Sequence, residues 1–119
     1  MTQDDARAAV AAQLEALGPW LDDWALPTQA ARERRRRSAS TAQLQAFYDA
    51  MLPRMDDIIT ALDAWPLHEL PADARRLMDL TLSLAEVAPH VEFYDGEPGV
   101  PFAFAEERFI AERAERTQL

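Results

Sequence analysis

The chain of 119 residues contains no cysteine, no lysine and no asparagine, and it has only three glycines. The absence of cysteine excludes a disulfide framework, a thiolate metal site, a cysteine nucleophile and covalent haem attachment through a C-x-x-C-H motif. The absence of lysine excludes Schiff-base chemistry on this chain. With 23 alanines and only arginine among its 12 basic residues, the composition is typical of a GC-rich bacterial genome.

Several sequence signatures are also missing. The chain has no G-x-x-x-x-G-K, G-x-G-x-x-G, H-E-x-x-H or G-x-S-x-G motif, which excludes the common nucleotide-binding and serine-hydrolase mechanisms. Residues 1–7 are acidic and lead into alanines, unlike a secretory signal, so we expect a cytoplasmic protein. No segment reaches the roughly 18–20 uninterrupted apolar residues of a membrane span.

The formal net charge of the chain is −9. A chain of this charge repels phosphate backbones and anionic lipid surfaces, so we expect neither nucleic acid nor a membrane as a partner. Apolar residues make up 49% of the sequence, which is enough for a hydrophobic core at this length. We therefore expect one compact domain over residues 1–119.

Prolines and glycines divide the chain into helical blocks, and no segment has the alternating pattern of a strand. Apolar residues at helical spacing predict a first helix over residues 3–17, which Gly18 and Pro19 end. Trp20 and Trp24 follow in a short segment that can form one helical turn.

Two capping signals mark the next helices. Thr28 can cap a helix that runs through an arginine-rich block to Ser38, because its hydroxyl can accept a bond from a first-turn N–H group. Ser40 and Gln43 have the S-x-x-Q spacing of a capping box, which predicts a bend or a new helix start near residue 40.

The strongest pattern is a run of apolar residues at helical spacing from Leu44 to Trp65. Polar and acidic residues fall on the opposite face, which predicts a long amphipathic helix with a kink at Pro53. The short connection through His68 to Pro71 makes this helix the antiparallel neighbour of the next one.

The following helix, from Pro71 to about Tyr94, is apolar over more than half of its circumference, and we expect it at the centre of the bundle with a kink at Pro89. Residues 95–101 predict a loop, and residues 104–116 predict a last helix. The predicted fold is all-α, a single-domain bundle of four to five helices around a long antiparallel helical hairpin.

A polar stripe follows one side of the predicted central helix and consists of Arg75, Asp79, Ser83, Glu86, His90 and Tyr94. Glu86 and His90 are four residues apart and can touch. If the stripe faces an internal cleft, Glu86 and His90 form an acid/base pair. Asp79, Ser83 and Tyr94 would then bind the ligand. If the stripe faces outwards, it is a solvated or simply hydrogen-bonded side of an amphipathic helix.

Tyr48 lies within the apolar face of the long helix, near the level of Pro89 in the antiparallel hairpin. A buried tyrosine hydroxyl needs a hydrogen-bond partner. Tyr48 can therefore orient a neutral substrate beside Glu86 and His90. Alternatively it is structural, donating to one of these side chains or to a carbonyl group that Pro89 leaves free.

A metal site has little support. Glu86 and His90 supply two ligands, but the chain lacks the E-x-x-H motif of carboxylate-bridged dimetal bundles. Asp56 and Asp57 lie on the outer face of the long helix, and His68 lies at the other end of the bundle. No motif supports haem ligation, so we expect no metal and no cofactor.

Five arginines occupy the six positions 32–37 of this acidic chain, namely Arg32, Arg34, Arg35, Arg36 and Arg37. Guanidinium groups bind carboxylates and phosphates bidentately, so the block can contact an anion, an acidic partner or a second copy. Alternatively it is a solvated face that pairs weakly with some of the 21 carboxylates. Trp20 and Trp24 are either anchors of a protein interface or covers over the core.

Two functions follow from these patterns. The first is a small soluble helical interaction or accessory protein that pairs with itself, as a homo-oligomer, or with another protein through Trp20, Trp24 or the arginines. The second is a small-molecule-binding bundle or a minimal isomerase, lyase or hydratase. There Glu86 and His90 would exchange protons while Tyr48 orients the ligand. The missing catalytic motifs favour the first function.

Overall fold

The structure of the protein, a computed structural model, describes residues 1–93. These residues are helical apart from short connections, and no strand occurs among them, which confirms the prediction of an all-α fold. None of the helices described would be long and apolar enough to cross a membrane. The predictions for Tyr94, for residues 95–101 and for residues 104–116 lie outside the described residues, and one domain over residues 1–119 stays a prediction.

Residues 1–93 form six α-helices, and two short 3₁₀ turns, Leu52–Arg54 and Leu67–Glu69, lie between some of them. The helices are α1 (Gln3–Ala16), α2 (Gly18–Trp24), α3 (Gln29–Ser38), α4 (Thr41–Met51), α5 (Met55–Leu62) and α6 (Ala72–Phe93).

Both predicted capping signals are confirmed. The Thr28 hydroxyl accepts a hydrogen bond from the backbone N–H of Ala31 at 3.1 Å and caps α3. At the start of α4, the Ser40 hydroxyl accepts from the backbone N–H of Gln43 at 3.1 Å, and the Gln43 side chain accepts from the Ser40 N–H at 2.8 Å. These bonds satisfy N–H groups that the first helical turn leaves without partners.

The predicted long helix from Leu44 to Trp65 is wrong in one respect, because it is not continuous. The 3₁₀ turn that contains Pro53 separates α4 from α5, since proline lacks the N–H that a continuous helix needs and crowds the preceding turn. The apolar face is redirected at this point. Leu52 and Ile59, which helical spacing places on the core face, are each 49% exposed.

Helix α6 lies at the centre of the described part of the bundle, as predicted, because each of the other five helices contacts it. Helix α4 packs extensively on α6, whereas α5 packs more on α1 than on α6. The core between these helices is formed mainly by buried aliphatic and aromatic side chains, and the largest fully buried ones are Leu17, Trp24, Leu44, Phe47, Met51, Ile58, Leu77 and Leu80.

A cluster of three aromatic side chains packs at the edge of the core, where α2 meets α4. The rings of Trp24 and Phe47 are stacked, with centroids 4.4 Å apart and planes 8° from parallel. Trp20 is tilted against the same phenylalanine ring at 6.1 Å. Because Trp24 is only 2% exposed, it belongs to the core, and Trp20 is the half-buried member of the pair.

Candidate functional site

The middle of the polar stripe of α6, formed by Asp79, Ser83 and Glu86, faces α3 and the end of α2, whereas Arg75 is exposed. Ser83 is buried, and its hydroxyl donates a hydrogen bond to the carbonyl oxygen of Trp24 at 2.5 Å. Asp79 and His90 are also buried, with 6% and 4% of their surface exposed. These three residues are therefore not solvated, and Ser83, Glu86 and Asp79 have hydrogen bonds or ion pairs within the protein, as the hydrogen-bonded alternative expects.

An ion pair between α3 and α6 forms the centre of this contact. The Nε atom of Arg36 donates to Oε1 of Glu86 at 2.8 Å, and Arg36 is only 1% exposed. The side chain of Gln29 donates to the other carboxylate oxygen at 3.2 Å. Charged groups are costly to bury unless they are paired, so this contact determines how α3 sits on α6.

A second contact lies further along the same two helices. One guanidinium nitrogen of Arg32 donates to the carbonyl oxygen of Leu26 at 2.8 Å and lies 3.9 Å from Oδ1 of Asp79. The same carboxylate oxygen is 3.3 Å from Nε of Arg75. Arg32, Arg36, Asp79 and Glu86 thus form two ion pairs that we call the α3–α6 seam.

The arginines of the block differ in burial. Arg32 and Arg36 are buried in the seam and bonded there, so an anion or partner contact by these two residues, which stays a prediction, would require them to leave it. The guanidinium of Arg35 lies 4.9 Å from the Trp24 ring centroid and pairs with Asp23 at 3.5 Å. Arg34 is exposed.

Arg37 is exposed as well and pairs with Glu33 on the same helix at 3.0 Å. Partner contact by Arg34 and Arg37 stays a prediction. In the structure two arginines of the block pair with two carboxylates of the polar stripe, a relationship that was not predicted. A signal for this pairing is present in the spacing. Arg32 and Arg36 are four residues apart, and the polar residues of α6 are three or four residues apart, so each set lies on one face of its helix.

Glu86, one of the two proposed acid/base residues, forms hydrogen bonds that join α6 to α3. Both carboxylate oxygens of Glu86 accept hydrogen bonds from α3, and the paired Arg36 guanidinium favours the charged carboxylate. His90 is buried one turn further along α6. Catalysis by this pair, and ligand binding by Asp79 and Ser83, stay predictions.

Tyr48 reaches α6 close to the predicted level, but its partner is a residue that the sequence did not suggest. Its hydroxyl donates to a carboxylate oxygen of Glu92 at 2.7 Å. This hydrogen bond raises the pKa of the Tyr48 phenol, and partial burial and the charges of Glu92 and Asp49 act in the same direction. The structural alternative for Tyr48 expected its hydroxyl to donate to a group of α6, and it does, but the acceptor is Glu92.

An open groove of about 530 Å³ lies on a different side of the molecule, between the α1–α2 junction and the 3₁₀ turn that joins α4 to α5. Its apolar lining includes the half-buried indole of Trp20, together with Leu17, Ala50 and Pro53. We call this feature the Trp20 groove. Trp20 was predictable as a candidate contact residue. The wall opposite Trp20 was not predictable, because it is formed around the 3₁₀ turn that contains Pro53.

Charged groups border the Trp20 groove. Asp49, Arg54 and Asp57 belong to its lining, and Arg54 is tethered to α1 by a hydrogen bond of 3.2 Å to the Gln13 side chain. Asp49 accepts a hydrogen bond from Gln45 at 2.8 Å. Among residues 1–93 neither Asp49 nor Asp57 forms an ion pair.

Metal binding has no geometric support in the described part of the chain, where no three histidine, aspartate or glutamate side chains converge on one point. Comparisons with models of known protein families, with curated proteins and with solved structures find no match to this chain.

Proposed function

We propose that the protein is a helical interaction protein that binds a segment of a partner protein in the Trp20 groove. The observation that carries this proposal is a half-buried indole, backed by Phe47 at 6.1 Å, in the lining of an open groove. Tryptophan in a well-packed, partly enclosed position often supplies a large share of the binding free energy of an interface. Trp20 is the member of the predicted pair that remains accessible, because Trp24 is buried.

The chemistry of the groove supports binding rather than catalysis. Among residues 1–93 its lining includes no histidine, serine, threonine or cysteine, which are side chains often used as nucleophiles and proton shuttles. Its volume lies within the range of about 300–1,000 Å³ that small ligands occupy. It is open along one side, however, which suits a side chain carried by a longer segment better than a ligand that must be enclosed.

The proposal includes three expectations from the sequence. The first is the antiparallel hairpin, in which α4 and α5 form one arm and α6 forms the other. This hairpin supports one wall of the groove. The second places the protein in the cytoplasm, where the partner is found. The third treats association of copies into a homo-oligomer as a separate property, since the groove can bind a partner on each copy.

A peptide selection tests this proposal without knowledge of the partner. Peptides from a random display library are selected on the wild-type protein and then measured on two variants of the groove, Trp20→Ala and Ala50→Trp. The first removes the indole and the second fills the space beside it. Ala42→Trp is the matched control, because Ala42 is an exposed residue of the same helix and is not among the groove lining.

We expect the selected peptides to bind both groove variants at least about tenfold more weakly than the wild type, and to bind Ala42→Trp unchanged. Urea unfolding of each variant shows that the fold is retained. A selection that returns no binders, or only binders that ignore both groove variants, would overturn the proposal.

A further inference from the structure

We infer that the Trp20 groove recognises a positively charged side chain, an arginine or a lysine, within a basic segment of the partner protein. This inference rests on the proposed function and specifies the chemistry of the segment that binds. It depends on three observations that concern the groove wall, the charges beside it and the charge of the whole chain.

The wall contributes a π surface. An indole attracts a cation that lies over its face, and tryptophan is the most effective aromatic residue for this contact. Trp20 is held in place by Phe47, against which it is tilted at 55°. This contact restricts the orientation of the indole, and restricting it before a partner arrives lowers the entropic cost of binding.

The charges beside the indole are mainly negative. Asp49 at the end of α4 and Asp57 at the start of α5 contribute two carboxylates to the lining, against one guanidinium from Arg54. The described residues supply no ion-pair partner for either carboxylate. The side chain of Arg54 is already tethered to Gln13. A cation that enters the groove therefore meets an indole face and unpaired negative charge together.

The whole chain attracts the same kind of partner. Its net charge is −9, and Asp56 on α5 and Asp63 directly after this helix add exposed carboxylates outside the groove lining. A negative field of this kind accelerates the approach of a basic segment and slows that of an acidic one. It also opposes a second copy of this chain, so we assign the groove to a different and basic protein.

A pair of small probes isolates the charge of the ligand. N-acetyl-arginine amide and N-acetyl-citrulline amide have nearly the same shape, and only the first carries a positive charge. Each is titrated into ¹⁵N-labelled protein while the indole N–H signals of Trp20, Trp24 and Trp65 are followed by NMR. The Trp20→Phe variant identifies the Trp20 signal.

We expect the arginine probe, but not the citrulline probe, to move the Trp20 signal, with an affinity that falls as salt concentration rises. The double variant Asp49→Asn/Asp57→Asn should weaken binding about fivefold or more. Asp56→Asn/Asp63→Asn is the matched control, because it changes the net charge of the same helical region equally without touching the groove lining. It should change the affinity less than twofold, by roughly the long-range effect alone.

The outcomes separate the two proposals. If selected peptides need the groove but the citrulline probe binds as well as the arginine probe, or if both double variants weaken binding equally, recognition of a cation is wrong while partner binding stands. If neither probe moves the Trp20 signal and the peptide selection also fails, both proposals are wrong. If the protein self-associates in sedimentation experiments, and Trp20→Ala abolishes this association as completely as Arg34→Gln together with Arg37→Gln does, the occupant of the groove is a second copy, which also overturns the inference.

Discussion

The Nε atom of Arg36 lies 2.8 Å from a carboxylate oxygen of Glu86, although the two residues are 50 positions apart in the sequence. The contact holds α3, a helix that contributes almost no apolar surface to the core, against the central helix α6. Its buried residues are Arg32 and Arg36, whereas the other helices bury aliphatic or aromatic side chains. The position of α3 therefore depends on charge to a degree that no other described helix shares.

We expect Arg36→Met to lower the free energy of unfolding by about 2–4 kcal/mol, because it leaves the partly buried carboxylate of Glu86 without its counter-charge. Arg34→Met is the control, and because Arg34 is exposed it should change stability by less than about 0.5 kcal/mol. Urea unfolding followed by circular dichroism measures both. Equal midpoints for the two variants would show that the ion pair does not hold α3 in place.

The variant Glu86→Gln distinguishes the structural role of Glu86 from a catalytic one. Glutamine keeps one acceptor oxygen but removes the charge that compensates the buried guanidinium, so we expect a loss of about 1–2 kcal/mol of stability. An acid/base role alone predicts unchanged stability together with complete loss of turnover. Glu15→Gln, at an exposed position of α1, is the control for removing one negative charge. Unchanged stability of Glu86→Gln would keep the acid/base hypothesis open.

The two neighbouring tryptophans should respond differently to substitution. Trp24→Ala removes a buried ring that is stacked on Phe47, and we expect a loss of about 3–5 kcal/mol. Trp20→Ala removes a half-buried ring and should cost about 1–2 kcal/mol. Far-ultraviolet circular dichroism in urea compares the variants without depending on tryptophan fluorescence. Similar losses for both would contradict the assignment of Trp24 to the core.

The contact between Tyr48 and Glu92 predicts that the stability of the folded state falls at alkaline pH. The hydrogen bond to Glu92 raises the pKa of Tyr48 above its ordinary value of 10.0, so the protonated phenol is favoured in the folded state. Its contribution to stability is fully present below the unfolded pKa and is lost as the pH rises through the folded pKa.

We expect Glu92→Gln to move the pKa of Tyr48 back towards its ordinary value, because the charged acceptor is gone. The near-ultraviolet absorbance of tyrosinate measures the shift, in a Tyr94→Phe background that leaves Tyr48 as the single tyrosine. Asp56→Asn removes an exposed carboxylate elsewhere and is the control. If both variants leave the titration curve of Tyr48 unchanged, the hydrogen bond to Glu92 does not form in solution.

The features that were predictable from sequence are those that depend on neighbouring residues. Two helix starts are predicted by capping residues, Thr28 and the pair Ser40 and Gln43, whose hydrogen bonds span only three residues. Both starts are confirmed. The apolar surface of α6 likewise predicts its central position, since a helix that is apolar over more than half of its circumference must be covered by others. These inferences require no knowledge of distant parts of the chain.

The candidate site was less predictable because it depends on which polar surfaces meet. A stripe of polar residues on one helix has the same pattern whether it faces water or another charged helix, so the sequence could not place Glu86 beside Arg36. The Trp20 groove was hidden for a related reason. One wall comes from the α1–α2 junction and the other from the turn at Pro53, and the geometry of that turn decides whether a groove exists.

The turn of residues 52–54 also has a consequence for how the two halves of the interrupted helix are fitted to their neighbours. In a continuous helix, the rotational register of every residue is tied to that of the residues before it, at about 100° per residue. Here α4 is seated on α6 while α5 is seated mainly on α1. Because a three-residue 3₁₀ turn lies between them, the register of α5 is offset from the one that a continuous helix would impose. A change in the length of this turn would rotate α5 on α1 and reshape the groove while α4 kept its position.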